Sequence, residues 1–316
     1  MSAEYAVELT PPDLSAYKTG NTGIDYVTRF DSGRAGPHVL INALTHGNEL
    51  CGAIAVDFLF RKGFRPKIGT LTLSFANIDA FAAFDPANPS ASRFVDEDFN
   101  RVWSPEVLAG PRQSVELRRA RKLRPAVDAA DFLLDIHSMQ HKTPPLMMTG
   151  PLEKSRVMAR RVATPHHIVA DEGHKAGRRM RDYGGFGDPA SAKIALLIEC
   201  GQHWEKDAAP IAIDSALRFL LDRGLIDRAT AEPHLRPLPE SQRTIEIAQA
   251  VTVESENFAF ARDYRGMEVI AKAGTKLGTD GERPILTPFD DCVLIMPSRR
   301  LKPGQTAVRL GRFITA

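Results

Sequence analysis

Cysteine is scarce in this chain. Only three stand among 316 residues, Cys51, Cys200 and Cys292, and no two form a C-x-x-C. That pattern excludes a disulfide scaffold and a thiolate zinc knuckle, and it fits a reducing compartment. Charge of one sign is also missing. Lysine and arginine number 41 against 39 acids, a net of +2. Neither nucleic acid nor a membrane surface is indicated as partner. No apolar run approaches the roughly 18 residues that span a bilayer. The opening stretch, Met1 to Gly20, has no basic start followed by an apolar segment. No signal peptide is expected, and the expected location is the cytoplasm. Internal repeats and low-complexity tracts are lacking as well.

What is present is an ordinary globular composition, 43% hydrophobic and 25% charged, enough for a sizeable core. The length suits about two domains. Apolar strand-like runs alternate with helical patterns over the first two thirds. Strands are expected at His38 to Leu44, Thr70 to Asn77, Phe132 to Ile136, Leu146 to Met148 and Lys193 to Cys200. Helices are expected at Glu49 to Lys62, Ser114 to Ala130, Glu153 to Val162 and Ile211 to Arg223, with a kink or break at Pro125. This alternation predicts an α/β fold, a three-layer α/β/α arrangement around a mixed, mostly parallel sheet. After the proline-bearing stretch HLRPLPESQ come short apolar runs separated by Gly and Pro turns. They predict a smaller C-terminal all-β domain, dividing the chain into 1–234 and 235–316.

Four short stretches carry candidate chemistry. The first is THGNE, where His46 and Glu49 stand three apart at the joint between a strand and a helix. That spacing can bring two metal ligands to one point, with Gly47 allowing a tight turn. The pair alone is weak: nine histidines and 39 acids give about one such pairing by chance. The bland alternative is a capped helix start, with Asn48 as N-cap and Glu49 near the helix dipole. The second stretch ends an apolar strand in Asp135-Ile-His137. Functional sites gather at such strand ends in α/β sheets. His137 is a candidate third ligand, and Asp135 could orient a histidine. The third, KIALLIEC, ends five apolar positions in Glu199. A carboxylate there is costly unless paired or functional, and it is a candidate general base. The fourth, Glu97 to Arg101, offers Arg101 as a planar fork for a carboxylate and Asn100 as an added donor.

In this order, His-Gly-Asn-Glu, Asp-x-Asn-Arg, Asp-x-His and a strand-ending Glu-x-Gly resemble the aspartoacylase and succinylglutamate desuccinylase family. That family belongs to the zinc carboxypeptidase-like superfamily. The resemblance covers most of residues 38 to 205, and the C-terminal region is similar to the family's second domain. It implies one zinc ion per chain, held by His46, Glu49 and His137. It implies Glu199 as general base and acid. It implies Arg101, helped by Asn100, as the group that polarises the scissile carbonyl or grips a substrate carboxylate. The implied reaction is hydrolysis of the amide bond of a small N-acyl amino acid or related N-acyl amine. His/Glu/His ligation suits zinc best among divalent metals.

The chain departs from aspartoacylases proper. Asp79 stands about where an arginine is expected, Asp188-Pro189-Ala190 where a second is expected, and no tyrosine matches in the C-terminal region. These departures argue against N-acetylaspartate. The basic loop 173–185 reads either as a solvated surface loop or as a replacement for these contacts, with Arg178 or Arg181 as a carboxylate clamp. His203, close to Glu199, is a candidate pocket residue. Two rivals stand beside the deacylase: a zinc carboxypeptidase acting on peptides, and a non-catalytic small-molecule-binding relative. The C-terminal β region, crowding the cleft, argues for small substrates. The complete set of ligands, arginine and glutamate argues for catalysis. A homo-oligomer is left open.

Overall fold

The structure, a computed structural model, describes residues 5–173, 176–299 and 301–314. The strands before residue 234 are β1 (Val27–Asp31), β2 (His38–Ala43), β3 (Thr70–Phe75), β4 (Phe132–Met139), β5 (Leu146–Met148), β6 (His167–Ala170) and β7 (Ile194–Gln202). After it come β8 (Arg243–Thr252), β9 (Phe258–Phe260), β10 (Glu268–Ile270), β11 (Lys276–Asp280), β12 (Arg283–Leu286), β13 (Cys292–Ile295) and β14 (Thr306–Ile314). Eleven strands form one mixed sheet in the order β1-β3-β2-β4-β7-β5-β6-β8-β14-β13-β10, and β12-β11-β9 form a separate small sheet.

The centre of the large sheet, β3-β2-β4-β7, is parallel. Its strands read as unbroken apolar runs because helices cover both faces. On one face Val39, Ile41, Leu134, Ile136, Leu196 and Ile198 pack with helices α1 (Leu50–Arg61) and α6 (Ala208–Asp222). On the other, Leu40, Leu133 and Ala195 meet Leu117, Leu123 and Val127 of the helix Val115–Ala129. Leu40, Ile41, Leu133 and Leu134 are fully buried, and each such side chain contributes roughly 1.5–3 kcal/mol relative to exposure. The helix Val115–Ala129 runs without a break across Pro125, contrary to the expected interruption. Its apolar stripe against the sheet outweighs the one hydrogen bond that proline removes.

The chain after residue 234 is strand and turn, as its short runs predict. Those strands keep their own apolar cluster, including Val251, Leu277, Leu294 and Val308. They also continue the large sheet. β8 pairs parallel with β6, and β14, β13 and β10 follow antiparallel. Sequence reasoning missed β1 and β6, the antiparallel edge strand and the link to the C-terminal strands.

Candidate metal centre and its cavity

The carboxyl ends of β2, β4 and β7 converge, as open α/β sheets dictate. Leu44 takes φ +58 just past β2, and the chain turns there through Thr45 to Glu49 into α1. Glu49 occupies the N-cap position, yet its side chain makes no capping hydrogen bond. The capped-start alternative therefore does not hold. Glu49 Oε1 instead lies 2.8 Å from His46 Nδ1, and its Oε2 lies 3.0 Å from His137 Nδ1. Gly47 acts differently from its expected role. Its φ is ordinary, but a Cβ there would meet the Ala80 carbonyl carbon at 2.4 Å and Ser92 O at 2.5 Å. Close approach, rather than a tight turn, excludes a side chain.

His46, Glu49 and His137 are all buried, and their ligand atoms lie within 4.8 Å of one another. Each histidine is oriented from behind by a carboxylate on its Nε2. Asp135 Oδ2 holds His137 at 2.8 Å, and Asp98 Oδ1 holds His46 at 2.9 Å. Asp135 Oδ1 in turn accepts from Asn42 Nδ2 at 2.7 Å and Thr45 Oγ1 at 2.8 Å. Carboxylates in this place fix ring orientation and raise ligand basicity.

Titration fits a cation-binding cradle. Burial disfavours charge on His137, but Asp135 and Glu49 outweigh it and hold the imidazole well above its usual range. Burial pushes Glu49 up, yet the two imidazoles pull it well below the carboxylate range. Asp98 is likewise raised by burial and pulled well below by His46 and Arg93. The cradle thus draws a positive charge to the point where both Nδ1 atoms meet Glu49. Two imidazoles and a carboxylate are a donor set suited to zinc.

Glu199 faces this point from β7, in register with His137 on β4. It is 6% exposed, and among the described residues its Oε2 has no hydrogen-bond partner. Burial pushes its carboxyl up to about 8, against the pull of His137. Arg101 ends a single 3-10 turn, Phe99–Arg101. Burial lowers its guanidinium to about 10, partly offset by Asp98, so it stays charged at neutral pH.

These side chains line one cavity of about 250 Å³. The structure brings His46, Glu49, Arg101, Glu199 and His203 to its wall, with His137 directly behind. His203 Nδ1 lies 2.8 Å from Ser138 Oγ. Further wall residues come from the C-terminal region: Met296 and Ser298 after β13, and Thr306 and Arg309 of β14.

Three predicted substrate contacts fall elsewhere. Asn100 is buried and accepts from the Met180 amide at 3.0 Å, so its side chain fastens the 176–182 segment. Arg178 is exposed, and its main chain bridges to Val102. Arg181 is buried and ion-paired with Asp182, with its guanidinium packed over Gly150. Neither arginine reaches the cavity, so the clamp expected of them is not built. Ala176 is the residue of loop 173–185 that lines it. His174 and Lys175 of that loop lie outside the described residues.

Sequence reasoning missed Arg93 and Arg309, and passed over His141; all three line the cavity. Arg93 Nη2 lies 2.8 Å from His46 Nε2 and donates to Asp98 Oδ2 at 3.1 Å. Asp79, where an arginine was expected, is exposed on the short helix Ile78–Ala82. Arg93 supplies the cavity with a guanidinium from a turn whose sequence carries no signal of it.

Fold and cavity together define a class: three-layer α/β proteins with a small polar cavity at the carboxyl ends of parallel strands. A family model described as the succinylglutamate desuccinylase/aspartoacylase catalytic domain matches residues 35–221. The chain belongs to that family of amide-hydrolysing enzymes. Among solved structures it is similar to succinylglutamate desuccinylase from Vibrio cholerae, with TM-score 0.69, 16% identity, and coverage of 91% of this chain and 85% of that one. A succinylglutamate desuccinylase/aspartoacylase from Rhodobacter sphaeroides gives TM-score 0.67 at 18% identity, covering 92% and 88%. The product-bound ectoine utilization protein EutE (DoeB) from Ruegeria pomeroyi gives 0.63 at 17%, covering 90% and 88%. Such identities speak for the fold alone. No match to a curated protein sequence was found. Among the described residues, no helix is long and apolar enough to cross a membrane.

Proposed function

We propose that the protein is a zinc-dependent deacylase that hydrolyses the amide bond of a small N-acyl amino acid or a related N-acyl amine. One observation carries this reading. Two buried histidines turn the same ring atom, Nδ1, toward one carboxylate, while carboxylates hold both Nε2 atoms. His46, Glu49 and His137 would hold the ion, which would supply Lewis-acid activation of water and carbonyl.

The chain's own groups do the rest. Glu199 takes a proton from the attacking water and passes it to the leaving amine. Arg101 and Arg93 offer N–H groups to the carbonyl oxygen as negative charge develops on it. Both sit in a largely water-excluded site, where such donors act more strongly than in water. A cavity of about 250 Å³ lies below the range of roughly 300–1,000 Å³ for drug-sized ligands. That favours a small acylated molecule over a peptide and sets the carboxypeptidase reading behind. Arg93, Arg101 and Arg309 on the wall favour a substrate bearing a carboxylate. They offset the missing arginines that argued against acidic substrates.

The test is metal content by mass spectrometry on wild type beside His46→Ala, then amine release from a panel of N-acyl amino acids. About one zinc per chain, lost in the variant, together with amine release, supports the proposal. A wild type that takes up no metal when zinc is supplied would sink it.

A further inference from the structure

Glu116 is fully buried on the helix Val115–Ala129, and no ion pair with it is found among the described residues. Its charge is held by amides instead. Oε1 accepts from the Val95 main-chain amide at 2.7 Å and from Asn77 Nδ2 at 3.1 Å. Oε2 accepts from the Asp96 and Glu97 amides at 3.0 and 3.2 Å. Asp96 returns the clasp, its Oδ2 accepting from the Val115 amide at 2.7 Å. A buried carboxylate is tolerated only when so paired, and its place in the first helical turn adds a favourable dipole.

The clasped residues, 95–97, lie at the surface, with Val95 48% exposed. Flanking them stand two cavity residues, Asp98 directly after and Arg93 one residue further before. Asp98 orients His46 through Nε2, and Arg93 reaches both His46 and Asp98. The ends of the loop have their own ties, the Gly47 amide to Arg93 O and the Asn100 amide to Asp98, and Glu97 pairs with Arg112 at the surface, but the main chain of 95–97 is gripped by Glu116.

We propose that Glu116 is a positioning residue: by gripping three consecutive amides it sets where Arg93 and Asp98 stand, and through Asp98 it sets the orientation of His46. It touches neither substrate nor metal. The inference rests on the reading of His46 as a metal ligand.

Glu116→Gln tests it. The variant keeps the size of the side chain but replaces one accepting oxygen with a donating amide, which cannot take a main-chain N–H. Zinc affinity is measured by chelator competition on the full chain, amide hydrogen exchange by mass spectrometry, and Asp98→Asn is added alone and in combination. In Glu116→Gln we expect faster exchange confined to residues 93–101 and zinc affinity about 10-fold weaker, in the range typical of groups that orient metal ligands. In that background Asp98→Asn should cost little more, because both changes release the same contact. Unchanged exchange with unchanged zinc affinity would overturn the proposal. So would strictly additive losses, or exchange raised across the whole chain, which would assign Glu116 to general stability. If wild type takes up no zinc, the deacylase proposal fails, and local exchange at 93–101 still decides whether Glu116 holds the loop.

Discussion

His137 and His46 turn the same ring atom to Glu49, yet one is carried by the sheet and the other by a loop. His137 lies within β4, and its orienting Asp135 is fully buried. Asn42, on β2, and Thr45 hold Asp135, and the Ser74 hydroxyl, on β3, donates to Asn42 Oδ1 at 2.6 Å. Three neighbouring strands thus stiffen that half. His46 follows β2 in a turn, and its orienting Asp98 is 19% exposed at the side chain. Asp98 is fixed by Arg93 and by the loop clasped to Glu116. Equal ligand geometry is reached by a rigid route and by a softer one. The softer half carries the cavity arginines Arg93 and Arg101, placing adaptable contacts next to a fixed anchor.

The largest effect is expected where the halves meet. Glu49→Gln should abolish zinc binding and reduce hydrolysis to background, as read by metal analysis and amine release. Next comes Asp171, which joins loop to sheet on the wall behind the cavity. It pairs with Arg179 of the loop at 2.8 Å and lies 3.5 Å from Arg309 of β14. Asp171→Asn should cost about 3 kcal/mol in denaturant unfolding, the low end for a broken buried pair, because Arg179 keeps Asp182 as its partner. Burial pushes this carboxyl up, but Arg179 and Arg309 pull it well below the usual carboxylate range. A depressed folded pKa means stability that is present above the unfolded pKa and lost as pH falls through the folded one. The gap between wild type and variant should therefore be constant above about pH 5 and shrink on acidification below about pH 4. A gap that widens in acid would contradict the pairing.

Smaller effects sharpen the contrast between the halves. Asp135→Asn should weaken zinc binding toward the 100-fold end of the usual 10–100-fold range. It should also destabilise the protein by about 1–3 kcal/mol, since the amide keeps one accepting oxygen where Asn42 and Thr45 on one side and His137 on the other each use one. Asp98→Asn should sit near the 10-fold end with its thermal midpoint almost unchanged. Chelator competition and thermal unfolding read both variants. Equal losses in both assays would end the distinction between a sheet-held and a loop-held histidine.

The sheet-held half was the legible one. Asp135, His137 and Glu199 end apolar runs, and in a parallel sheet a charged group at a run's end marks the functional edge. His46 and Glu49 were readable because only one turn separates β2 from α1. Arg93, Asp98 and Arg309 end no apolar run, and Asp98 entered the reading only within Asp-x-Asn-Arg. The roles of the first two depend on a loop folding back over His46, and that of the third on β14 pairing with β8 and, through it, with β6. That Arg178 and Arg181 lie away from the cavity was illegible for a similar reason. Basic residues in sequence do not reveal which face solvent, as Arg178 does, or which an acid already holds, as Asp182 holds Arg181. β6 was unreadable because four residues beside two histidines carry too little pattern, although it is the strand that joins β8 to the sheet.

That junction has a mechanical consequence. Arg309 stands on β14, which is laddered to β8, then β6, β5 and β7, the strand of Glu199. The two walls of the cavity are therefore regions of one continuous beam. Swinging them apart would mean tearing ladder hydrogen bonds along it, so the bore between them is set at folding. Admission is then a matter of calibre, with only the loops at the mouth left to yield.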